Sequence, residues 1–335
     1  MSDAYLIALD HEMRELTQAR NPQYADFFNM LHYHLGWTDA RGNPTHADKG
    51  KQIRPLLCLY SCEAVGANWR DALPAAAAVE LIHNFSLIHD DIQDNSDTRR
   101  GRASVWKEWG IAQGINAGDA MFVMAQQALT EIPTSVSLPN NVAIHRALNA
   151  AILKLTQGQY LDLAYERADQ ATLDQYFEMV RGKTAALLAA SCEIGARIGT
   201  TDAQLYRTLA NYGEHLGIAF QIADDVLGLW GDPQVTGKSV RSDLWSRKKS
   251  YPVLYAMQGA GGEELRALYA KPAWSQKDLS RVEQILNSTN AREKAMQQAE
   301  TYAKHAQGAL DATKLRNTAI TRLHNLIHQV VYRTK

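Results

Sequence analysis

The sequence predicts an all-α protein, and three observations carry that expectation. Apolar residues recur at helical spacing through almost every segment, alternation over strand lengths is nearly absent, and proline and glycine stand where helices begin or end. A first helix is expected over residues 3–20 and a second over 24–35, followed by a loop rich in Gly, Pro, Asp and His at 36–49. Residues 51–65 resume the helix, with Pro55 tolerated in its first turn. Pro74 opens the next, PAAAAVELIHNFSLIHDD, where a proline at the N-terminus is backed by an alanine run. Further helices are expected at 104–131, 142–167, 172–199 and 202–230. A second loop, GDPQVTGKSVRSDLWS, fills 231–246, and shorter helices follow near 251–258, 263–268, 276–286, 291–310 and 317–332. No internal repeat, low-complexity tract or linker interrupts the pattern, so one domain over 1–335 is expected.

Composition narrows the function classes. With 46% hydrophobic and 21% charged residues the chain has ample material for a core. A net charge of −1 and the lack of a long Lys/Arg block speak against a general nucleic-acid or anionic-membrane surface, so basic groups must act locally. No stretch approaches the roughly 18 apolar residues of an integral membrane segment, and the N-terminal residues do not read as a signal peptide. Cys58 and Cys62 share a helix face and Cys192 is distant. Without His or more Cys at ligand spacing they read as small buried residues in a reducing, cytoplasmic setting.

The stretch at 81–104, LIHNFSLIHDDIQDNSDTRRGRAS, concentrates the chemistry. Asp90 and Asp94, four apart, point to one side of a helix, with Asp91 offset from them. Clustered carboxylates repel unless a cation is held among them, and oxygen-only ligands suit a hard divalent ion such as Mg²⁺. Arg99 and Arg100 follow at once, and guanidinium forks match phosphate oxygens. A solvated acidic helix end running into a basic loop is the bland alternative for this cluster alone.

A second cluster weakens that alternative. FQIADD at 220–225 again ends an apolar helix in carboxylates. Basic groups accompany both clusters: Lys51 and Arg54 in GKQIRP, Lys183 beside Thr184 in RGKT, then Lys238, Lys248 and Lys249. Together they form an inventory for two polyanionic ligands, one held through metal and one through arginine and lysine only.

These motifs, taken in order, resemble the trans-isoprenyl diphosphate synthases of the polyprenyl synthetase type. The likeness runs from about residue 50 to 256. It is carried by GKQIRP (50–55), HNFSLIHDDIQDNSDTRRG (83–101), GQYLD (158–162), GKTAAL (182–187), FQIADD (220–225) and GKSVRSDLWSRKKSYPVL (237–254). The resemblance implies a bundle of antiparallel helices around a central cavity, the isoprenoid synthase fold, and a homodimer. It further implies that Asp90, Asp94 and Asp224 bind three Mg²⁺ ions bridging to the diphosphate of an allylic substrate. Arg99, Lys183, Thr184, Gln221, Lys238 and Lys248 would contact that diphosphate, with Asp225 in the same substrate-binding set. Lys51, Arg54, His83 and Arg100 would hold isopentenyl diphosphate.

On this reading the allylic C–O bond ionises as charge on the departing diphosphate is stabilised. The isopentenyl double bond attacks the resulting carbocation, and a proton is then lost to the released diphosphate. No protein nucleophile is required. One departure stands out: the second acidic motif, usually DDxxD, ends in Gly228 here, and weaker, water-mediated metal contacts are expected on that side. Three other readings compete. A terpene cyclase would need no isopentenyl site, a non-catalytic subunit of a heteromeric synthase is suggested only by Gly228, and a phosphohydrolase centred on His89-Asp90 lacks nearby histidines.

Phe85 and Ser86 lie about 6–8 Å deeper along the helix than Asp90, where an elongating chain anchored at the metal would pass. A large aromatic at this position resembles the geranylgeranyl type, with Phe85 as the floor. Ordinary core packing is the competing reading of Phe85, and Ala77 and Ala78 beneath it would not block a longer chain.

Overall fold

A computed structural model describes residues 3–168, 171–231, 242–245 and 247–331, and the protein is all-α. The helices are α1 Asp3–Leu16, α2 Ala25–His34, α3 Ile53–Ala64, α4 Leu73–Gln93, α5 Val105–Trp109, α6 Ile111–Thr130, α7 Leu138–Arg167, α8 Leu173–Val180, α9 Ala186–Gly199 and α10 Ala203–Trp230. After them come α11 Ser242–Trp245, α12 Tyr251–Gln258, α13 Gly262–Tyr269, α14 Gln276–Ser288, α15 Ala291–Ala312 and α16 Thr318–Val331. Most of the loop expected at 231–246, including Lys238, lies outside the described residues, as do 332–335.

Three local departures from the helical pattern have physical causes. The helix expected over 104–131 is broken at Gly110, whose φ of +85° ends α5 before α6 begins. The segment expected at 172–199 contains a π-helical turn, Arg181–Ala185, between α8 and α9. A hairpin of two-residue strands, β1 Thr98–Arg99 and β2 Arg102–Ala103, follows α4. Strands this short leave no alternation to read.

The described residues fall into two compact units, one within residues 1–150, 190–209 and 315–320, the other within 151–189, 210–314 and 321–335. In the first unit α4 is deeply buried: Ala75, Ala76, Ala77, Ala78, Val79, Leu81 and Ile82 are all inaccessible. Small residues let neighbouring helices come close. A Cβ on Gly118 of α6 would lie 2.2 Å from the His89 ring, and one on Gly114 would lie 2.9 Å from Ile92. The two glycines, four apart, form the face that receives the end of α4. Cys58, Cys62 and Cys192 are buried free thiols, as their spacing suggested.

In the second unit Gly158 of α7 and Gly182 perform the same service. A Cβ on Gly158 would stand 2.1 Å from the Lys183 backbone nitrogen, so α7 presses directly on the π-helical turn. On α10, Gly213 and Gly217 face Leu188 and Ala185 in the same way. Among the described residues no helix is long and apolar enough to cross a membrane.

Because a Cβ on Gly195 would fall 2.0 Å from the Cys58 carbonyl oxygen, Gly195→Ala must push α9 from α3. The expected cost is about 1–3 kcal/mol, read as a thermal midpoint several degrees lower in calorimetry.

Candidate active site

The last turn of α4 divides its three aspartates by burial. Asp91 is 1% accessible, Asp90 is half-buried and Asp94 is exposed at the C-cap, its N–H donating to the Asp90 carbonyl at 2.8 Å. Asp91 faces the hairpin, where Arg99 Nη2 donates to Oδ1 at 2.5 Å and Arg99 Nε reaches both carboxylate oxygens at 3.0 and 3.2 Å. Burial pushes the Asp91 carboxyl upward, and the guanidinium opposes that push. The pair is therefore a fork held against a buried carboxylate, the geometry in which an Arg–carboxylate bond is strongest.

The hairpin turns through Arg100 and Gly101, with φ of +52° and +74°. Positive φ at both central residues is the two-residue turn that matches strand twist, but only glycine adopts it without strain. Arg100 is held there beside the first loop: a Cβ on Gly50 would meet its guanidinium at 3.1 Å. Gln52, also left-handed at φ +46°, starts α3 and sets Lys51 and Arg54 on either side of itself. Arg54 Nη1 lies 3.2 Å from His83 Nε2. Burial lowers the Arg54 guanidinium to about 10, with Glu80 opposing, so it stays charged at neutral pH. His83 is held well below the usual histidine value by burial and by the charges of Arg54, Arg100 and Arg99. It is therefore neutral, with its Nε2 lone pair available to Arg54.

The ring of His89 lies on α6, with Nε2 3.3 Å from the Ile115 carbonyl oxygen and 3.8 Å from Asp119. Asp90 and Asp94 consequently form an oxygen-only donor set. Phe85, 9% accessible, packs edge-on against His89 and Phe122, with centroids 5.0 and 5.5 Å away. Ser86 donates its hydroxyl to the His83 carbonyl at 2.8 Å.

In the second unit the π-helical turn carries Lys183, whose Nζ lies 2.5 Å from Asp162 of α7. Burial would raise Asp162, but the charges of Lys183 and Lys248 hold it below the usual carboxylate value. Thr184 donates to Gln221 Oε1 at 2.7 Å, and Gln221 Nε2 donates to Asp225 at 3.0 Å. Asp225 also accepts the Tyr176 hydroxyl at 2.7 Å and the Tyr251 N–H at 3.1 Å. Asp224, next to it, is exposed. Lys249 donates to the carbonyls of Tyr165 and Glu166 at 2.8 and 3.1 Å.

The first unit thus brings together Arg54, His83, Arg99 and Arg100, with Lys51 beside them in the chain; the second brings together Lys183, Thr184, Gln221 and Asp225. Asp225 sits apart from its expected set in one respect: it is 1% accessible, and three protein donors occupy its oxygens. Three further groups acquire roles that motif reading left unassigned. Asp91 anchors Arg99, Asp162 anchors Lys183, and Tyr176 helps hold Asp225. Asp162 was signalled by its place at the end of GQYLD, whereas nothing in the local sequence marks Tyr176. Among the described residues no three His, Cys, Asp or Glu side chains converge on a metal position by themselves.

A family model described as polyprenyl synthetase matches residues 40–288. A (2E,6E)-farnesyl diphosphate synthase of Mycobacterium tuberculosis is 37% identical over 339 residues, covering 98% of this chain and 92% of that protein. A geranylgeranyl diphosphate synthase of the same species is 41% identical over 246 residues, covering 73% of this chain and 69% of that protein. Among solved structures, a polyprenyl synthetase from Streptomyces coelicolor A3(2) superposes with a TM-score of 0.89 at 37% identity, covering 98% of each chain.

The neutrality of His83 generates a pH prediction. The unfolded chain takes up a proton at His83 as pH falls through about 6.5 and the folded chain does not, so this residue contributes a loss of stability on acidification. His83→Gln should flatten the decline of the thermal midpoint between about pH 7.5 and 5.5 by about 2–4 °C relative to wild type. Circular dichroism melts at the two pH values check this.

Proposed function

Starting from the fact that the chain belongs to the polyprenyl synthetase family of trans-prenyl diphosphate synthases, we propose that it elongates an allylic diphosphate with isopentenyl diphosphate to geranylgeranyl diphosphate. One observation carries the elongation reading. The start of α3, the face of α4 and the hairpin after it bring together a second basic set, Arg54 and Arg100 around a neutral His83, beside the Arg99 that the first diphosphate would use. A cyclase, which consumes one diphosphate, has no use for this second basic set.

In this reading Lys51, Arg54, His83 and Arg100 hold isopentenyl diphosphate. Arg99, Lys183, Thr184, Gln221, Lys238 and Lys248 receive the allylic diphosphate. Asp225 acts through Gln221 and Tyr251 by holding them in place. Asp90, Asp94 and Asp224 are the proposed carboxylate ligands of three Mg²⁺ ions, in a family that is Mg²⁺-dependent in general. When bound, the metal supplies positive charge to the diphosphate as it departs. Arg99, tied to Asp91, and Lys183, tied to Asp162, add fixed positive charge that needs no reorganisation during the reaction. The C–O bond breaks with its electron pair going to the diphosphate, the isopentenyl double bond forms the new C–C bond, and the released diphosphate takes the proton.

Phe85 supports the twenty-carbon product. Its ring is braced by His89 and Phe122, so it stands as a fixed aromatic one turn beneath Asp90. A fifteen-carbon product is the second reading, favoured by the 37% identity to the mycobacterial farnesyl diphosphate synthase. We further propose a homodimer, which fits the apolar residues that α6 leaves open, Ile111, Ile115 and Val123, each 44–54% accessible.

Incubation with Mg²⁺, farnesyl diphosphate and radiolabelled isopentenyl diphosphate should give twenty-carbon alcohols after dephosphorylation. Absence of elongation, or cyclic hydrocarbon in its place, would refute the reading. Asp90→Asn should lower the rate by about 10²-fold or more. Phe85→Ala should lengthen the product, and an unchanged length profile removes Phe85 as the floor. Light scattering on a size-exclusion column should return twice the chain mass of 37.3 kDa, and a monomer mass would reject the dimer.

A further inference from the structure

Four carboxylates are buried among the described residues: Glu80, Asp91, Asp162 and Asp225. Three of them hold a group of the site, namely Arg99, Lys183, and the Gln221–Tyr251 pair. Glu80 alone has no part in the chemistry described so far. It is 2% accessible in the middle of α4, where a carboxylate costs several kcal/mol unless opposed by charge and hydrogen bonds.

Its surroundings identify what opposes it. Glu80, His83 and Asn84 stand at i, i+3 and i+4, on one face of α4. Asn84 Nδ2 donates to Glu80 Oε1 at 3.1 Å and to its carbonyl at 2.8 Å, so the side chain is held locally. His83 carries Arg54 at 3.2 Å, which places that guanidinium on the same face. Arg100 crosses towards this face from the hairpin, pinned in a left-handed turn against Gly50. Burial raises the Glu80 carboxyl above its ordinary value, and the charges of Arg100 and Arg54 and the Asn84 hydrogen bond oppose that rise. Glu80 Oε2 and Arg54 Nε are both buried without a hydrogen-bond partner among the described residues, leaving each one bond to gain, directly or through one water.

We propose that Glu80 is a positioning residue: its carboxylate, beneath the basic set, fixes the forks of Arg54 and Arg100 in the orientation that receives the diphosphate of isopentenyl diphosphate. The proposal rests on the reading that these two arginines bind that diphosphate. A guanidinium offers five N–H donors in one plane, so a donor that Glu80 Oε2 engages, directly or through one water, would fix the direction of those that remain. The neutral amide of glutamine has the same shape but cannot oppose two cations. Removing the charge lets the arginines separate and the pocket loosen for one substrate only.

Glu80→Gln and Glu80→Asp are compared with wild type by steady-state kinetics for each substrate in turn. Calorimetric titration of isopentenyl diphosphate alone, which has no allylic partner to react with, supplies a readout besides turnover. Glu80→Gln is expected to raise KM for isopentenyl diphosphate at least tenfold and to weaken its binding equally, with KM for the allylic diphosphate within twofold and kcat within threefold. Glu80→Asp, which keeps the charge and retracts it by one methylene, should raise the same KM three- to tenfold. It decides the question alone if the glutamine variant does not fold. Equal changes for both substrates, a loss confined to kcat, or unaltered binding overturns the proposal. Arg100→Ala tests the premise separately: normal binding of isopentenyl diphosphate by that variant shows that the arginine assignment itself is wrong, and the proposal falls with it.

Discussion

The bidentate bond between Arg99 and Asp91 is the constraint on which the rest of the basic set depends. A guanidinium meant for a phosphate must be immobile before the phosphate arrives, or the cost of ordering it is charged against binding. Asp91 supplies that immobility from inside α4, at 1% accessibility, while on the same turn Asp90 is half-buried and Asp94 exposed. One helical turn thus does two jobs because successive residues differ by about 100° in direction. Asp162 with Lys183 and Asp225 with Gln221 repeat the device in the second unit, each an acid within the helices bonded to a group displayed beyond it.

Crowding cations has consequences for their neighbours. His34 is buried and His83 half-buried beside the arginines, and both are held well below the usual histidine value by loss of solvent and by those charges. They are thus neutral acceptors or donors that add no positive charge to a region already rich in it. The alternative use of a histidine here, as a metal ligand beside Asp90, fails on orientation. His89 turns onto α6 and packs against Gly118, leaving Asp90 and Asp94 as hard oxygen donors.

Of the six non-glycine residues with left-handed φ among the described residues, two lie at the basic set. Gln52 and Arg100 adopt left-handed φ without being glycine, and Gly50 approaches the Arg100 guanidinium so closely that a side chain there would crowd it. Such positions cost of order 1–3 kcal/mol each and persist only where the surroundings over-determine them. The π-helical turn at Arg181–Ala185 belongs to the same class: an irregularity enforced by the contact of Gly158 with Lys183, at the turn that presents Lys183 and Thr184.

Periodicity alone determined the all-α class and the bounds of most helices within a few residues, because each depends only on local geometry repeated along the chain. Motif order suggested Lys51, Arg54, His83 and Arg100 as one group and placed Arg99 with Lys183, Thr184 and Gln221 in another, and the buried nature of the three cysteines followed from their spacing. Other features needed the tertiary structure, because they arise between residues far apart in sequence. That Asp91 would anchor Arg99, that Asp162 would reach Lys183, and that Tyr176 would close on Asp225 across 49 positions are outcomes of packing. So too are the break at Gly110 and the π-helical turn, where the period continues unbroken in sequence while backbone conformation or a close helix contact interrupts it.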